Sequence, residues 1–507
     1  MARGSKRRTG NYGIQHRYYL LSVQVRQHSN GWMRKVSQSL LYLLFTIHNF
    51  LTLVFIEIKY IVMDASSKID QLNSFDAQKR MSVLEELCGR QGDFPPEAQN
   101  VNMHCHSFFS YNPLGWSPVR IAWEARNAGL YAAGLCDFDV LEGLEEFYTA
   151  GEILGLRTAV HIETRVFVKE FADKEISSPG EPGIAYMMGA GFAEIPERES
   201  REAEEREGYM DRACQRNRDL VVRINEKLPD IAVDYEQDIK PLSPSGTPTE
   251  RHIVQAYRSR AEQAFGSIQE VNEYWAGVIG MSERDISPAA GTHVMDDLIR
   301  SKLTKQGGIG YVQPSEDTFP SADRFIEWVL SCGAVPMIAW LDGTSRGEQD
   351  PYTLFACLKE KGAAALNIIP ERNWNINDPE EKKIKEANLK QVMQAAEEFG
   401  LPVNIGTEMN RPGQPFYDDL KGENLAPYRD DFLNGARIMV GHTLLSRFAG
   451  YPYTGERAET DFPSVHERNA FFARTGSLPP LDTVSARMLR EKGPGQGLEW
   501  FFRQRET

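Results

Sequence analysis

From residue 100 onward the chain alternates short apolar strands with amphipathic helices, and this alternation constrains its fold more than any other feature. Residues 100–104 are predicted to form a strand, and Ser117 and Pro118 then provide a helix N-cap followed by proline at the first helical position. Further strands are predicted at 131–137, 158–163, 333–343, 362–369 and 401–410. Because apolar strands joined by helices form sheets that are buried on both faces, we predict an α/β fold with a parallel sheet or barrel.

The alternation is interrupted once, and the interruption divides the chain. Residues 193–325 are highly charged and carry helical spacing, so they are predicted to be a mostly helical insertion or cap. The two parts of the barrel are then expected at 63–192 and 326–425, with a C-terminal extension at 426–507. In the second part, Asp378 and Pro379 begin a predicted helix that Gly400 ends.

The first 62 residues differ from the rest in charge and hydropathy. They carry a balance of +8, whereas the whole chain has a net charge of −14. The segment Leu40–Met63 is apolar enough for a signal anchor or membrane helix, although Glu57 and Lys59 shorten it. A second interpretation makes Met63 the true start and the leader translated upstream sequence. A membrane partner is expected only if the apolar segment is real, and otherwise a cytoplasmic protein is expected.

The bulk composition narrows the class of protein. A net charge of −14 argues against nucleic acid as a partner, because nucleic-acid binding requires a basic surface. Six cysteines in 507 residues are too few for a disulfide framework, so we interpret them as thiols in a reducing compartment.

Polar residues two positions apart occur at several predicted strand ends. The pairs are His104 and His106, Asp137 and Asp139, His161 and Glu163, and Glu408 and Asn410. Residues two apart in a strand share a face, and the carboxyl ends of parallel barrel strands meet at one rim. Imidazoles and carboxylates gathered there would suit Zn²⁺, Mn²⁺ or Fe²⁺. Any single pair has the simpler explanation that junctions between strands and loops are polar, so the prediction depends on their conjunction.

These motifs resemble the polymerase and histidinol phosphatase (PHP) superfamily over roughly residues 100–192 and 325–412. "HCHSFFS" at 104–110 matches the first family motif, "LCDFDVLEG" at 135–143 the second, and "HIE" at 161–163 the third. "VPMIAWLDG" at 335–343 and "NIGTEMN" at 404–410 match the two late motifs. The resemblance implies a distorted seven-stranded (β/α)7 barrel of the TIM-like kind, up to three bound metals and phosphoester hydrolysis.

Three metal-binding histidines of the family motifs are replaced in this chain. Phe138, Trp340 and Asn410 stand in their places. Phenylalanine and tryptophan offer no side-chain metal ligand, and a neutral amide is a weak one. The resemblance therefore implies one well-formed metal site of His104, His106, Glu163 and Glu408, with a second ion dependent on rearranged ligands. The candidates for such ligands are His161, Asp139, Asn410 and Asp342.

We expect a metal-dependent phosphoesterase acting on a small phosphorylated metabolite or nucleotide through a metal-activated water. Asp137 would orient a ligand or accept a proton, and Arg372 would hold the substrate's charge. Arg251, His252 and Asn373 are candidate substrate-binding residues, with an N-capped, solvated helix start as the simpler explanation for the first two.

Two other functions remain open. The first is an inactive protein of the same fold that binds a metabolite or partner through Trp340 and Phe138. The second is hydrolysis of a non-phosphate bond by a single metal.

Overall fold

The computed structural model describes Leu44 and residues 67–90, 94–289 and 291–504. The chain divides at Lys68 into two units, and the fold below belongs to the second, Ile69–Thr507. The predicted leader, with its apolar segment 40–63, lies outside the described residues apart from Leu44. None of the described helices combines the length and the apolar character needed to cross a membrane.

Seven strands form one sheet in chain order. They are β1 (Val101–Cys105), β2 (Ala132–Phe138), β3 (Arg157–Phe167), β4 (Ile184–Ala190), β5 (Val335–Trp340), β6 (Ala365–Ile368) and β7 (Val403–Ile405). Four of the six neighbouring pairs are parallel, whereas β4 runs antiparallel to both β3 and β5. The sheet is therefore mostly parallel with a single reversed strand.

The sheet is nearly closed, because the segment after β7 reaches β1. Cys105 and Glu408 form an isolated parallel bridge, and the backbone N–H of His106 donates to the carbonyl oxygen of Glu408 at 2.8 Å. Gly406 allows this approach, since a Cβ at that position would collide with the Cβ of His104. Closure therefore brings the β7 loop next to the two histidines of β1.

From Ala77 onward, the described residues form sixteen helices that surround and extend the sheet. In the first part of the barrel they are α1 (Ala77–Arg90), α2 (Pro118–Asn127) and α3 (Leu144–Leu154). Between β4 and β5 lie α4 (Arg201–Lys227), α5 (Glu250–Ala264), α6 (Ile268–Ile279), α7 (Glu283–Ile286), α8 (His293–Thr304) and α9 (Ala322–Ser331). The remainder are α10 (Pro351–Glu360), α11 (Glu371–Trp374), α12 (Pro379–Phe399), α13 (Arg429–Ala449), α14 (Glu456–Asp461), α15 (Val465–Gly476) and α16 (Thr483–Gln504). One-turn helices occur at Lys169–Phe171, Pro229–Ile231, Tyr235–Ile239, Lys240–Leu242, Ser287–Ala289 and Ala426–Tyr428.

Local sequence signals account for several helix ends. Ser117 caps α2 by accepting the backbone N–H of Arg120 at 3.0 Å, with Pro118 at the first helical position. The side chain of Asp378 caps α12 in the same way, and Gly400 ends that helix in the left-handed conformation. The predicted boundaries of these two helices are confirmed.

The helices between β4 and β5 have an apolar core of their own. Ile224 of α4, Tyr257 of α5, Trp275 of α6 and Ile299 of α8 are fully buried in one cluster, separate from the main core around the barrel strands. The segment between β4 and β5 therefore folds into helices around a core of its own, and it is called the helical insertion below.

The predicted fold class is confirmed: an α/β protein with a nearly closed, mostly parallel seven-stranded barrel. Strand β4 was not predicted, and β3 runs four residues beyond its predicted end, to Phe167. The two strands pair along seven residues, from His161 with Ala190 to Phe167 with Ile184.

Candidate metal centre

The two histidines of the first motif point to the same place. They flank Cys105, the last residue of β1, and both are fully buried. Their Nε2 atoms lie 3.3 Å apart. The period of two along the strand end thus brings both imidazoles together, as the spacing predicts.

Glu163 on β3 completes a cluster of three ligand atoms. Its Oε2 lies 3.5 Å from Nε2 of His104 and 3.4 Å from Nε2 of His106, and its side chain is only 4% exposed. No hydrogen bond from the described residues reaches this oxygen, although it is buried. Because buried polar atoms are nearly always partnered, an unpartnered carboxylate oxygen facing two ring nitrogens indicates a missing ligand.

The size of this triangle fits a small transition metal. Ligands at about 2.1 Å from a tetrahedral Zn²⁺ lie roughly 3.4 Å from one another. The three observed edges are 3.3, 3.4 and 3.5 Å. Two nitrogens and one oxygen are also the donor set of catalytic zinc sites that keep a fourth position open. The residues present therefore fit one divalent ion.

The charges of the cluster depend on one another. Burial by itself would raise the pKa of Glu163, but His104 and His106 together lower it to about 2. Burial by itself would lower the pKa of His104, but the attraction of Glu163 outweighs it, and the pKa is raised above its usual value. The metal-free cluster therefore holds an anionic carboxylate against a histidine that readily takes up a proton.

The fourth predicted ligand, Glu408, is near the cluster but outside it. Its backbone is bonded to His106, and both Glu408 and Met409 have positive φ values, of 62° and 56°. The Glu408 carboxylate forms an ion pair with Arg372, at 3.3 Å, and does not belong to the group of ligand atoms within 4.8 Å of one another. The structure therefore groups three of the four predicted ligands.

Asp137 does not line the cavity described below. Its two oxygens accept the backbone N–H of Ser107 at 2.8 Å, the Ser107 hydroxyl at 2.7 Å and the Ser110 hydroxyl at 2.6 Å. The residue is 2% exposed. These contacts are those of a residue that orients a ligand, because Ser110 also contacts His106; the other predicted role, accepting a proton, stays a prediction.

His161 shares a face of β3 with Glu163 but does not belong to the cluster of three ligand atoms. Its Nδ1 accepts the backbone N–H of Gly191 at 3.0 Å, and a Cβ at Gly134 would lie 2.7 Å from its Nε2. Burial lowers its pKa to about 3. A neutral imidazole that accepts at Nδ1 carries its proton on Nε2, so this histidine is not a spare ligand.

The other three additional candidates all line the cavity but are separate from the triad. Asp139 accepts the Thr164 hydroxyl at 2.5 Å, and burial raises the pKa of its carboxyl. Asp342 accepts Thr344 and pairs with Lys385 at 3.1 Å. The backbone N–H of Asn410 donates to the side chain of Gln414. None of the three belongs to the metal-sized cluster among the described residues.

The predicted substrate-binding residues have different environments. Arg251 lines the cavity, where it pairs with Asp297 at 2.6 Å. His252 instead caps α5, since its Nδ1 accepts the backbone N–H of Thr249, and burial lowers its pKa to about 4. Asn373 is fully buried and donates to the carbonyl oxygens of Leu341 and Ile369. Neither His252 nor Asn373 lines the cavity.

Phe138 and Trp340, the two aromatic residues at motif positions where histidines are expected, have different environments. Phe138 lines the cavity and stacks on His106, with ring centroids 4.4 Å apart. Trp340 is 1% exposed and lies against Gly343 and Asn388, while its neighbour Ala339 lines the cavity. Trp340 therefore faces away from the cavity, which excludes it as the ligand-binding surface of an inactive relative.

A large cavity of about 1160 Å³ lies at the carboxyl end of the strands, between the rim and the helical insertion. Glu163 is the member of the triad that lines it. Arg372 from the rim and Arg216 from α4 line it as well. The cavity thus connects the candidate metal centre with cationic side chains from both parts of the chain.

Arg216 lines the cavity but is not among the site residues predicted from the sequence. Its guanidinium carbon lies 4.5 Å from the centroid of the Phe319 ring, and that of Arg165 lies 4.3 Å from the same centroid. Arg165 pairs with Glu181, whereas no carboxylate among the described residues forms an ion pair with Arg216. Burial lowers the pKa of Arg216 to about 10. No sequence signal separates this arginine from the other charged residues of α4.

The sequence matches no protein-family model and no curated protein. Solved structures with some similarity include a protein from Bifidobacterium adolescentis assigned as a metal-dependent phosphoesterase. It is 17% identical, with a TM-score of 0.41 and coverage of 67% of this chain and 98% of that one. Another is an amidohydrolase from Chromobacterium violaceum with bound sulfate and no metal, 15% identical, with a TM-score of 0.38 and coverage of 63% and 91%.

Proposed function

We propose that this protein is a hydrolase that uses one divalent metal ion, held by His104, His106 and Glu163, to cleave phosphoesters of small molecules. The observation that carries the proposal is the buried triangle of ligand atoms with edges of 3.3 to 3.5 Å, one corner of which borders the large cavity. An ion bound there supplies Lewis-acid chemistry, polarising a phosphoryl oxygen and activating water as the nucleophile.

A single ion is favoured over two or three. Phe138 fills the space beside His106 where the family pattern has a ligand, and Trp340 faces away from the cavity. Two other carboxylates at the rim are engaged, since Glu408 pairs with Arg372 and Asp342 with Lys385. The chain therefore offers one complete set of ligands.

The rest of the cavity provides for an anionic substrate. Arg372 lines the rim with its side chain 45% exposed, so its guanidinium can reach a phosphate while one terminal nitrogen, Nη2, pairs with Glu408. Arg216 contributes a second cation, from the insertion. Asp139, also on the cavity wall, is the carboxylate we assign to accept a proton from the attacking water.

The test is metal analysis and phosphatase assay of the purified full-length protein. We expect about one equivalent of Zn²⁺, Mn²⁺ or Fe²⁺ per chain, and hydrolysis of p-nitrophenyl phosphate that EDTA abolishes. The double variant His104→Ala, His106→Ala should lose both properties, whereas the control His466→Ala, at an exposed position on α15, should keep them.

Two outcomes would contradict the proposal. Wild-type protein that takes up no metal and hydrolyses nothing would favour the inactive binding protein. Metal uptake with cleavage of esters or amides, but of no phosphoester, would favour the non-phosphate hydrolase.

A further inference from the structure

The buried histidines of this protein differ in which ring nitrogen carries the proton, because their hydrogen-bond partners differ. A neutral imidazole has one N–H and one bare nitrogen, and only the bare nitrogen can bind a metal. For His104 and His106 to act through Nε2, both must therefore hold their proton on Nδ1. The hydrogen-bond partners of each Nδ1 decide whether they do.

For His106 the direction of the hydrogen bonds can be worked out. Its Nδ1 lies 3.2 Å from the hydroxyl oxygen of Ser110, and that oxygen lies 2.6 Å from Oδ1 of Asp137. A serine hydroxyl has one proton, which goes to the carboxylate. Its lone pair must then accept from His106, so the proton lies on Nδ1 and Nε2 is bare.

Asp137 is itself held as an acceptor. The Ser107 hydroxyl accepts the backbone N–H of Phe109 at 3.1 Å, so its own proton points to Oδ2 of Asp137. The backbone N–H of Ser107 donates to Oδ1. Three donors thus converge on this carboxylate, and the chain Asp137, Ser110, His106 has a single consistent direction.

For His104 the partner is the side-chain amide of Asn367 on β6, whose Nδ2 lies 3.2 Å from Nδ1. The other end of that amide is buried without a partner. As placed, that nitrogen would donate to Nδ1. The oxygen and nitrogen of an amide have nearly the same shape, however, and the amide turned end for end directs its oxygen towards His104 and accepts a proton from Nδ1. In that arrangement both ligand histidines present a bare Nε2.

Two other buried histidines have the opposite arrangement. His161 accepts the N–H of Gly191 at Nδ1, and His442 accepts the N–H of Tyr453 at Nδ1. His442 also donates from Nε2 to the carbonyl oxygen of Gly191, at 3.0 Å. Backbone N–H groups thus place the proton on Nε2 in these two, so the pattern at His104 and His106 is specific to the metal cluster.

We propose that Asp137 and Ser110 on His106, and Asn367 on His104, are positioning residues that keep the Nδ1 proton in place so that both Nε2 atoms face the metal. This inference rests on the proposed function for its purpose, but the proton positions can be measured without any metal. Outer partners of this kind set the orientation of ligand histidines and raise their affinity for the ion.

The first experiment measures the proton positions directly. Full-length protein labelled with ¹⁵N-histidine is stripped of metal and studied by NMR at about pH 9, where imidazoles are neutral. We expect His104 and His106 to carry the proton on Nδ1, and His161 and His442 on Nε2. A proton on Nε2 of His106 or His104 would overturn the inference, whether or not the protein binds metal.

The second experiment measures the effect on affinity. Calorimetric titration with Zn²⁺ should show a loss of roughly 10- to 100-fold in Ser110→Ala and in Asn367→Ala. Ser110→Thr keeps the hydroxyl and should recover most of the affinity. The control Thr443→Ala removes a hydroxyl that is also buried but donates to the carbonyl oxygen of Met439 on α13, and should bind like wild type.

The outcomes separate this inference from the proposed function. Unchanged affinity in Ser110→Ala, or loss in Thr443→Ala equal to that in Ser110→Ala, would overturn the positioning role. If wild-type protein bound no Zn²⁺, the proposed function would fail, and the NMR pattern would still decide where the protons are.

Discussion

Replacing Glu163 by glutamine tests the electrostatics of the cluster in the absence of metal. The variant keeps the shape of the side chain and removes its charge. Burial by itself would raise the pKa of Glu163, but His104 and His106 lower it from 4.5 to about 2. A depression of that size corresponds to roughly 3 kcal/mol of stability carried by the charged carboxylate. We therefore expect Glu163→Gln to lower the free energy of unfolding by about this amount at about pH 6.

The pH dependence has a definite sign on each side. Because the folded pKa of Glu163 is depressed, its contribution is present above 4.5 and is lost as the pH falls through about 2. Because the folded pKa of His104 is raised, its contribution is full below 6.5 and is lost as the pH rises through that raised pKa. The difference in the free energy of unfolding between wild type and Glu163→Gln should thus be largest between pH 4.5 and 6.5.

The assay is urea unfolding in EDTA, followed by circular dichroism at several pH values. Asp418→Asn is the matched control, because burial raises the pKa of that carboxyl to about 7 while the N–H of Trp374 donates to it. A neutral amide there should leave the protein as stable as wild type or more so. Equal stability of Glu163→Gln and wild type at about pH 6 would refute the ion pair within the cluster.

Three further predictions concern residues around the cavity. Arg216→Ala should raise KM for a phosphorylated substrate by about 10- to 100-fold with little change in kcat, because one charge-assisted hydrogen bond is lost. The control Arg260→Ala, at an exposed arginine of the same insertion, should leave steady-state kinetics unchanged. Equal KM values for the two variants would contradict a role of Arg216 in substrate binding. His252→Ala should lower stability by about 1 kcal/mol in thermal unfolding, through loss of the α5 cap, without changing KM. Trp340→Phe should leave metal content unchanged, since its indole faces away from the cavity and its N–H has no partner among the described residues; metal loss would show that the side chain reaches the site.

The fold class was predictable because its signals are local. Ser117, Pro118 and Gly400 mark helix ends by their own chemistry, and the apolar strands between them require cover on both faces. Strand β4 gave no such signal. Its sequence IAYMMGA has no clear alternation. Only the one-turn helix Lys169–Phe171 separates it from β3, so the repeat of strands and helices that reveals the parallel strands does not include it.

The candidate site could be predicted only in part, because residues on the same face of a strand can still lie at different positions along it. Glu163 and His161 share a face of β3, but two residues along a strand are about 6.6 Å apart. Only Glu163 reaches the histidines of β1, and His161 bonds to Gly191 instead. At β5 even the face could not be read from the motif, because a shift of one residue exchanges Trp340 for Ala339. Hydrogen-bond partners from distant strands, such as Asn367, have no signature in sequence.

The replaced histidines and the arginines of the cavity have a common explanation under the proposed function. The motif pattern that the sequence resembles has metal-binding histidines at the positions of Phe138 and Trp340. Here Phe138 packs on His106, which leaves room for one ion, while Arg372 and Arg216 bring fixed positive charge to the same cavity. A guanidinium needs no ligand set and can bind phosphate through two parallel hydrogen bonds. We therefore expect arginine to supply the positive charge that additional metal ions would otherwise bring to this cavity, so that activity should saturate at one equivalent of metal.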